Sequence, residues 1–132
     1  MATSTFHMFD HAPAPVAPYS HAVEVDGWVF LTGQIPADPD DDNRTFAPGI
    51  EAQTRRVMGN LIIVLGELGL GLEHVVQSRV FLAHFEDDYA AMNATYATYF
   101  PDDRRPARTC IGVTALARDA RVEIDMMARR PE

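Results

Sequence analysis

Cysteine, long apolar segments and clustered metal ligands are all scarce in this sequence. Cys110 is the only cysteine, which excludes an internal disulfide. The five histidines are scattered without a ligand spacing, so we expect no structural zinc site. No apolar run approaches the ~18 residues of a membrane span. The first residues lack the basic start and apolar core of a signal peptide. These absences predict a soluble cytoplasmic protein.

Basic residues are also few. Lysine and arginine together number 11 against 19 aspartates and glutamates, a formal net charge of −8. Contacts to nucleic-acid phosphates need nearby cations, so this balance opposes nucleic-acid binding. It equally disfavours an anionic membrane surface. We therefore expect neither partner, and a chain of 132 residues predicts one domain over 1–132.

Hydrophobic periodicity predicts the element order ββ-α-β-α-ββ. Asp26-Gly27 joins two β-rich runs, which is the strongest short-range signal for a hairpin. The predicted elements are strands over 19–25, 28–32, 75–82, 108–113 and 121–126 and helices over 50–68 and 87–99.

Glycines and aspartates mark the ends of the two predicted helices. Gly49 is expected to cap the start of the first helix, and Gly69 and Gly71 are expected to stop it. Asp87 and Asp88 are expected to cap the second helix.

The N-terminal segment is predicted to be irregular over 1–18. Pro13, Pro15 and Pro18 would interrupt any helix there. We expect residues 1–14 to form a flexible tail.

The predicted sheet is apolar on both faces. Trp28 and Phe30 alternate with equally apolar neighbours, and the 75–82 strand sets Val75 and Phe81 against Val76, Val80 and Leu82. Two helices cover one face of a mixed sheet in an α+β arrangement. The second face is then expected to be covered in an oligomer.

Arg108 is the leading candidate for a functional residue. Strand alternation places Arg108 and Cys110 on one face, and the next strand offers Glu123 and Asp125. An arginine fork binds a small carboxylate at two points, which predicts a pocket for a small organic acid. The alternative is a cross-strand surface ion pair between Arg108 and Glu123.

Six short segments stand out by their order and spacing: 17–23 (APYSHAV), 30–36 (FLTGQIP), 53–54 (QT), 93–96 (NATY), 106–110 (PARTC) and 122–124 (VEI). Together they resemble the Rid (YjgF-like) family of enamine/imine deaminases. The resemblance covers nearly the whole chain, from about 13 to 128.

The resemblance implies a chorismate-mutase-like α+β fold. It further implies a homotrimer whose sheets pack around a central barrel, with pockets between subunits that draw residues from two neighbours. No metal and no organic cofactor are implied. The activity implied is that of a 2-iminobutanoate/2-iminopropanoate deaminase-like hydrolase. It converts enamines and imines of the 2-aminoacrylate type into 2-keto acids and ammonia.

The resemblance also assigns roles in catalysis. Arg108 would hold the substrate carboxylate. Glu123 would hold the attacking water, helped by a backbone carbonyl such as that of Cys110. Tyr19 would close the pocket and assist proton transfer. The alternative for Tyr19 is a packed aromatic with a satisfied hydroxyl.

Three further residues are expected to bind substrate. Gly33 would allow close approach because it has no Cβ, or it only ends a strand. Asn93 would line the cleft, or it braces helix packing. Cys110 would contact substrate, or it is a small buried hydrophobe.

Several departures from the family pattern leave the substrate open. Ala17 replaces a usual glycine, Thr109 a usual serine, and Gly112 stands where glutamate is frequent. A substrate such as 2-aminomuconate or a pyrimidine-breakdown product is one alternative. A non-catalytic carboxylate-binding or chaperone-like protein is another. Ribonuclease activity is disfavoured by the charge of −8.

Overall fold

A six-stranded sheet and two α-helices make up the computed structural model, which describes residues 3–41 and 45–132. The strands are β1 (Thr5–His7), β2 (Ala22–Val25), β3 (Trp28–Gln34), β4 (Val75–Leu82), β5 (Ala107–Gly112) and β6 (Val122–Arg129). The helices are α1 (Ile50–Glu67) and α2 (Phe85–Ala97).

The strand order is β1-β2-β3-β6-β4-β5, so the C-terminal strand β6 lies inside the sheet between β3 and β4. Neighbouring strands are antiparallel except β4 and β5, which are parallel and are connected through α2. The sheet is therefore mixed and carries two helices, which confirms the predicted α+β class. β5, the strand of Arg108, lies at an edge.

One face of the sheet packs against the helices. Along β6, every second residue from Val122 to Ala128 is at most 3% exposed. α1 adds Val57, Leu61 and Leu65 to the same core, at the spacing of one helical face. The apolar periodicity of the sequence therefore identifies the buried face correctly.

Both ends of α1 follow the predicted glycine signals. Gly49 is the residue before the first turn and has φ of 90°. After the helix, Gly69 has φ of 74°, and its N–H donates to Gly66 over 3.0 Å. The N–H of Leu70 donates to the carbonyl of Leu65 over 2.8 Å, which completes a Schellman cap.

The second helix begins earlier than predicted, and the predicted caps are wrong. α2 starts at Phe85 after His84, so Asp87 and Asp88 lie within its first turn. Asp88 is buried and accepts two hydrogen bonds from Arg121, at 2.8 and 3.0 Å. The partner lies 33 residues away in sequence, which no local capping rule detects.

The other face of the sheet exposes apolar side chains, as predicted. Phe30 is 45% exposed and Ile111 is 46% exposed. Val23, Phe30 and Met127 are directly opposite one another on β2, β3 and β6, so they share this face. We call it the open face. The homotrimer that would cover it stays a prediction.

One detail of the predicted alternation in β4 is wrong. The pairing of β4 with β6 shifts register between Val75 and Gln77. Val75 is consequently buried on the same face as Val80 and Leu82, while Val76 is exposed. The sequence had instead grouped Val76 with Val80 and Leu82. A bulge adds one residue to a strand and exchanges the faces beyond it.

The prediction that residues 1–18 are irregular is wrong at Thr5–His7. These residues form β1, which pairs antiparallel with β2. The chain that follows is held by His21, which is 2% exposed. Its Nδ1 accepts from the N–H of Phe9 over 2.9 Å, and its Nε2 donates to the carbonyl of Pro13 over 2.8 Å. The strand depends on pairing with β2, and the chain after it depends on His21, so the sequence of residues 5–7 alone does not indicate a strand. The first two residues of the expected tail lie outside the described part of the chain.

In the described residues, neither helix has the length and apolarity needed to cross a bilayer.

Candidate active site

Arg108 lies on the helix-covered face of the sheet. It is directly opposite Ser78 on β4, and Ser78 is directly opposite Met126 on β6. Residues paired in this way point to the same side of a sheet. Ser78 and Met126 are both buried beneath the helices, so Arg108 extends the same row at the sheet edge.

Glu123 lies on the open face. It alternates with Val122 and Ile124, both fully buried against the helices. It is directly opposite Phe81 on β4. Because β4 separates the strands of Arg108 and Glu123, the two side chains do not meet within one chain. The alternative of a cross-strand ion pair between Arg108 and Glu123 is therefore wrong, and the two strands of one chain do not bring these side chains together. Alternation along a strand shows which side chains share a face of that strand, but it does not show which strands are neighbours in the sheet.

The Arg108 guanidinium is supported by a neutral aromatic ring. Its central carbon lies 5.1 Å from the centroid of the Tyr96 ring on α2. The Tyr96 hydroxyl and Ser78 Oγ are 2.6 Å apart. Burial raises the pKa of Tyr96, although the Ser78 hydrogen bond and the Arg108 charge oppose that rise. The phenol therefore stays neutral and holds the cation without neutralising it.

No carboxylate of the described residues lies within 4.0 Å of Arg108. Its guanidinium borders a surface pocket of about 260 Å³, which we call the arginine pocket. The pocket is lined by Asn93, Tyr96, Ala97, Arg105, Pro106 and Arg108. A positively charged pocket whose walls hold no acid suits an anionic ligand.

Asn93 shares this pocket with Arg108. Its Oδ1 is buried and has no hydrogen-bond partner in the described part of the chain. Buried polar atoms are nearly always bonded, so each exception needs an explanation. Asn93 is thus a polar neighbour of Arg108 in the wall of the arginine pocket.

Cys110 lies on the same face as Arg108, two residues along β5. It is directly opposite Val80, a fully buried residue of β4. Burial raises the pKa of the Cys110 thiol, and the nearby Arg108 charge only partly opposes this. The thiol is therefore protonated and weakly nucleophilic at neutral pH. Cys110 is not among the residues that line the arginine pocket, so its contact with substrate stays a prediction, and the geometry gives no support to covalent catalysis.

Glu123 and Gly33 form a second group, which we call the glutamate half-site. A Cβ at position 33 would collide with the Glu123 carboxylate, so any other residue there would force the Glu123 side chain to move. Burial raises the pKa of Glu123 above its ordinary value, and the negative charge of Asp125 raises it further. Asp125 is itself held by Arg79 through hydrogen bonds of 2.7 to 3.2 Å.

Tyr19 belongs to the loop that precedes β2. The carbonyl of its neighbour Ser20 accepts a 2.5 Å hydrogen bond from Thr32, the residue before Gly33. The loop is thus attached next to the glutamate half-site rather than to the arginine pocket. The Tyr19 hydroxyl accepts from the N–H of Val16 over 3.1 Å, which leaves its own proton available.

Sequence reasoning gave no site role to four residues that shape these two sites. Tyr96 lies three residues after Asn93, so helical spacing could have placed both on one face of α2. Arg105 directly precedes the 106–110 segment, but the sequence did not indicate that it lines the arginine pocket. Ser78 is directly opposite Arg108, and Asp125 is directly opposite Arg79. Only the register of the strands reveals these pairings.

No group of three histidine, cysteine, aspartate or glutamate side chains within 3–41 and 45–132 is arranged to hold a metal ion.

Comparison with known proteins places the chain in a family. The family described as "Endoribonuclease L-PSP" matches residues 9–130. The RutC family protein slr0709 of Synechocystis is 43% identical over 91% of this chain and 92% of its own length. The 2-iminobutanoate/2-iminopropanoate deaminase of Salmonella typhimurium is 33% identical over 92% of this chain and 94% of its own.

The fold agrees with that comparison. The crystal structure of the yeast protein YEO7 superposes with a TM-score of 0.89 at 35% identity, covering 98% of this chain and 100% of the yeast chain. The chain therefore belongs to the endoribonuclease L-PSP family, which is the Rid family of the sequence motifs.

Proposed function

We propose that this protein hydrolyses reactive enamines and imines of the 2-aminoacrylate type to 2-keto acids and ammonia. The observation that carries the proposal is the Arg108 guanidinium, which has no carboxylate partner among the described residues and borders a pocket without acids, together with the desolvated Glu123 carboxylate on the other face. The name of the Salmonella relative supports the same chemistry, since that protein is a deaminase of such imines.

A site that uses both groups has to be assembled from two chains. The open face is apolar and exposed at Phe30 and Ile111, so it needs a partner surface. In the proposed homotrimer, the arginine pocket of one subunit meets the glutamate half-site and the Tyr19 loop of the next. Each subunit then contributes to two sites.

Substrate binding is proposed to begin with the carboxylate. Arg108 accepts it through two parallel N–H···O contacts, which fixes the plane of the adjacent imine. Asn93, which lines the same pocket, is proposed to hydrogen-bond the imine or enamine nitrogen through its side-chain amide. Together these contacts present the imine carbon to the neighbouring subunit.

Hydrolysis then needs one water and one proton carrier. Glu123 accepts a proton from water as the C–O bond forms at the imine carbon. It returns that proton to the amine nitrogen of the resulting carbinolamine and takes up the hydroxyl proton as the C=O bond forms and the C–N bond breaks. The proton then passes to ammonia, which leaves as ammonium and restores the carboxylate. A carboxyl with a raised pKa is suited to both steps near neutral pH. Tyr19 closes the site and can relay the proton.

The absence of lysine supports direct attack by water. None of the 132 residues is a lysine, and all 11 basic residues are arginines. A covalent Schiff base between a lysine side chain and the keto product therefore cannot form. The protonated imine is already electrophilic, so the proposal needs no metal.

The test is an assay in which a pyridoxal-phosphate enzyme generates 2-aminoacrylate from serine and pyruvate release is followed. We expect faster release than the spontaneous rate, and no loss of activity when a chelator is added. Release at the spontaneous rate would contradict the proposal and favour a binding protein. RNA cleavage in a parallel assay would favour the activity named in the family description.

A further inference from the structure

A second arginine lines the arginine pocket. Arg105 and Arg108 both border it, and the remaining lining residues are Asn93, Tyr96, Ala97 and Pro106. The pocket therefore has two cations and no acid in its wall, in a protein whose net charge is −8. A ligand with one carboxylate would pair with only one of these two cations.

Arg105 is available to a ligand. Its one ion pair in the described residues joins Nη2 to Asp102 Oδ1 over 2.9 Å. The side chain of Asp102 is 96% exposed and that of Arg105 is 50% exposed. Exposed pairs of this kind contribute little stability, so a ligand carboxylate can readily replace Asp102.

The position of Arg105 is specific to this pocket. Its neighbour Arg104 lines a different pocket, formed by Leu72, Glu73, Tyr99, Phe100 and Pro101. Two adjacent arginines thus face different surroundings. This makes Arg104 a control for general positive charge in the loop before β5.

We propose that the preferred substrate is a dicarboxylate imine, with Arg108 binding the carboxylate beside the imine carbon and Arg105 binding the second carboxylate. The assignment rests on the proposed function for the reaction and on the arginine pocket for the recognition. Arg105 is a specificity residue: it contacts the distal carboxylate and not the reacting atoms.

Equilibrium binding tests the assignment without catalysis. The ligands are 2-oxoglutarate and 2-oxobutanoate, stable keto acids with two carboxylates and one. We expect the parent protein to bind 2-oxoglutarate about 10-fold more tightly, the value of one charge-assisted contact. Arg105→Ala should remove this preference, Arg105→Lys should keep part of it, and Arg104→Ala should leave both affinities unchanged.

A parent protein that binds 2-oxobutanoate as tightly as 2-oxoglutarate would overturn the assignment. So would an Arg104→Ala variant that loses the preference as fully as Arg105→Ala, because general charge would then suffice.

Catalysis distinguishes this inference from the proposed function. An amino-acid oxidase generates 2-iminoglutarate from glutamate and 2-iminobutanoate from 2-aminobutyrate. We expect Arg105→Ala to lower the ratio of kcat/KM for the two imines about 10-fold, mainly through KM. Binding preference without hydrolysis of either imine would uphold the role of Arg105 and refute the deaminase. Hydrolysis of both imines with an unchanged kcat/KM ratio in Arg105→Ala would uphold the deaminase and refute the role of Arg105.

Discussion

Arg108 and Glu123 lie on opposite faces of one sheet, with β4 between their strands. Arg108 faces α2 and contacts Tyr96, whereas Glu123 lies on the open face beside Gly33. Neither side chain can reach the other without unfolding the sheet. A reaction that needs both therefore makes the oligomer a requirement for activity.

Mixing two inactive variants should restore activity. Arg108→Ala retains the glutamate half-site, and Glu123→Gln retains the arginine pocket. After refolding as a 1:1 mixture, a ring with random placement has both intact halves at roughly one quarter of its interfaces. We expect about a quarter of parent activity, measured as keto-acid release. Each variant refolded alone is the control. A mixture as inactive as its components would contradict a shared site.

Introducing charge on the open face should dissociate the oligomer. Phe30→Glu places a carboxylate on this face, where Phe30 is 45% exposed in the single chain. Burying that charge against a neighbouring subunit is costly, so we expect a monomer by light scattering. Ile62→Glu is the matched control, since Ile62 is 42% exposed but lies on α1. A parent protein that is itself monomeric would refute the homotrimer.

Replacing Arg108 should abolish activity and leave the fold intact. We expect Arg108→Ala to lose pyruvate binding by 10-fold or more, since hydrogen bonds to charged groups contribute about 1.5–3 kcal/mol. Arg108→Lys should restore little, because an ammonium lacks the planar fork. Calorimetry gives both the affinity and the melting temperature. Arg55→Ala, which alters an exposed pair with Glu51, is the control. Normal pyruvate binding by a destabilised Arg108→Ala protein would show a structural role.

Glu123→Gln should lower the turnover number and raise the melting temperature at pH 8. The raised pKa of Glu123 means that the folded state binds this proton more tightly than the unfolded state. Stability is therefore lost as pH rises from the unfolded value of about 4.5 through the folded pKa. Glutamine carries no such charge, so the variant should melt higher than the parent at pH 8, and the difference should shrink near pH 5. Turnover should fall about 10²-fold or more.

The exposed Glu67→Gln serves as the control for that experiment. A Glu123→Gln protein with unchanged turnover would show that water needs no carboxylate here. An equal melting difference at both pH values would contradict the burial argument.

Removing the His21 ring should release the N-terminal segment. His21→Leu leaves the Phe9 N–H and the Pro13 carbonyl without their partners. We expect the free energy of unfolding in urea to fall by about 2 kcal/mol, because two hydrogen bonds to a buried imidazole are lost. Amide exchange at Phe9 should also accelerate. His11→Leu, at an exposed position, should change neither measurement. An unchanged exchange rate in His21→Leu would show that β1 alone holds the segment.

Local features of the sequence predicted much of the fold. Asp26-Gly27 predicted the hairpin of β2 and β3, and both glycine caps of α1 are where expected. The spacing of Val57, Leu61 and Leu65 identified the buried side of that helix. Each signal depends on residues within a few turns or one hairpin, so it can be read without knowing the rest of the chain.

Long-range contacts account for the errors. β1 exists because it pairs with β2 and because His21 holds the chain that follows. The face of Val76 depends on a bulge against β6. Asp88 is occupied by Arg121 rather than by the helix end. In each case the deciding partner is distant in sequence.

For the candidate site, the sequence by itself determined the residue types and the side of its own strand on which each lies. Motifs and alternation identified Arg108, Glu123, Gly33 and Asn93 as candidates. Only the tertiary structure decided that β4 lies between β5 and β6, and hence which residues share a pocket. Alternation has a period of two along one strand and carries no information about the order of strands. That order is set by hydrogen bonding and core packing across the whole sheet, which separates the arginine pocket from the glutamate half-site.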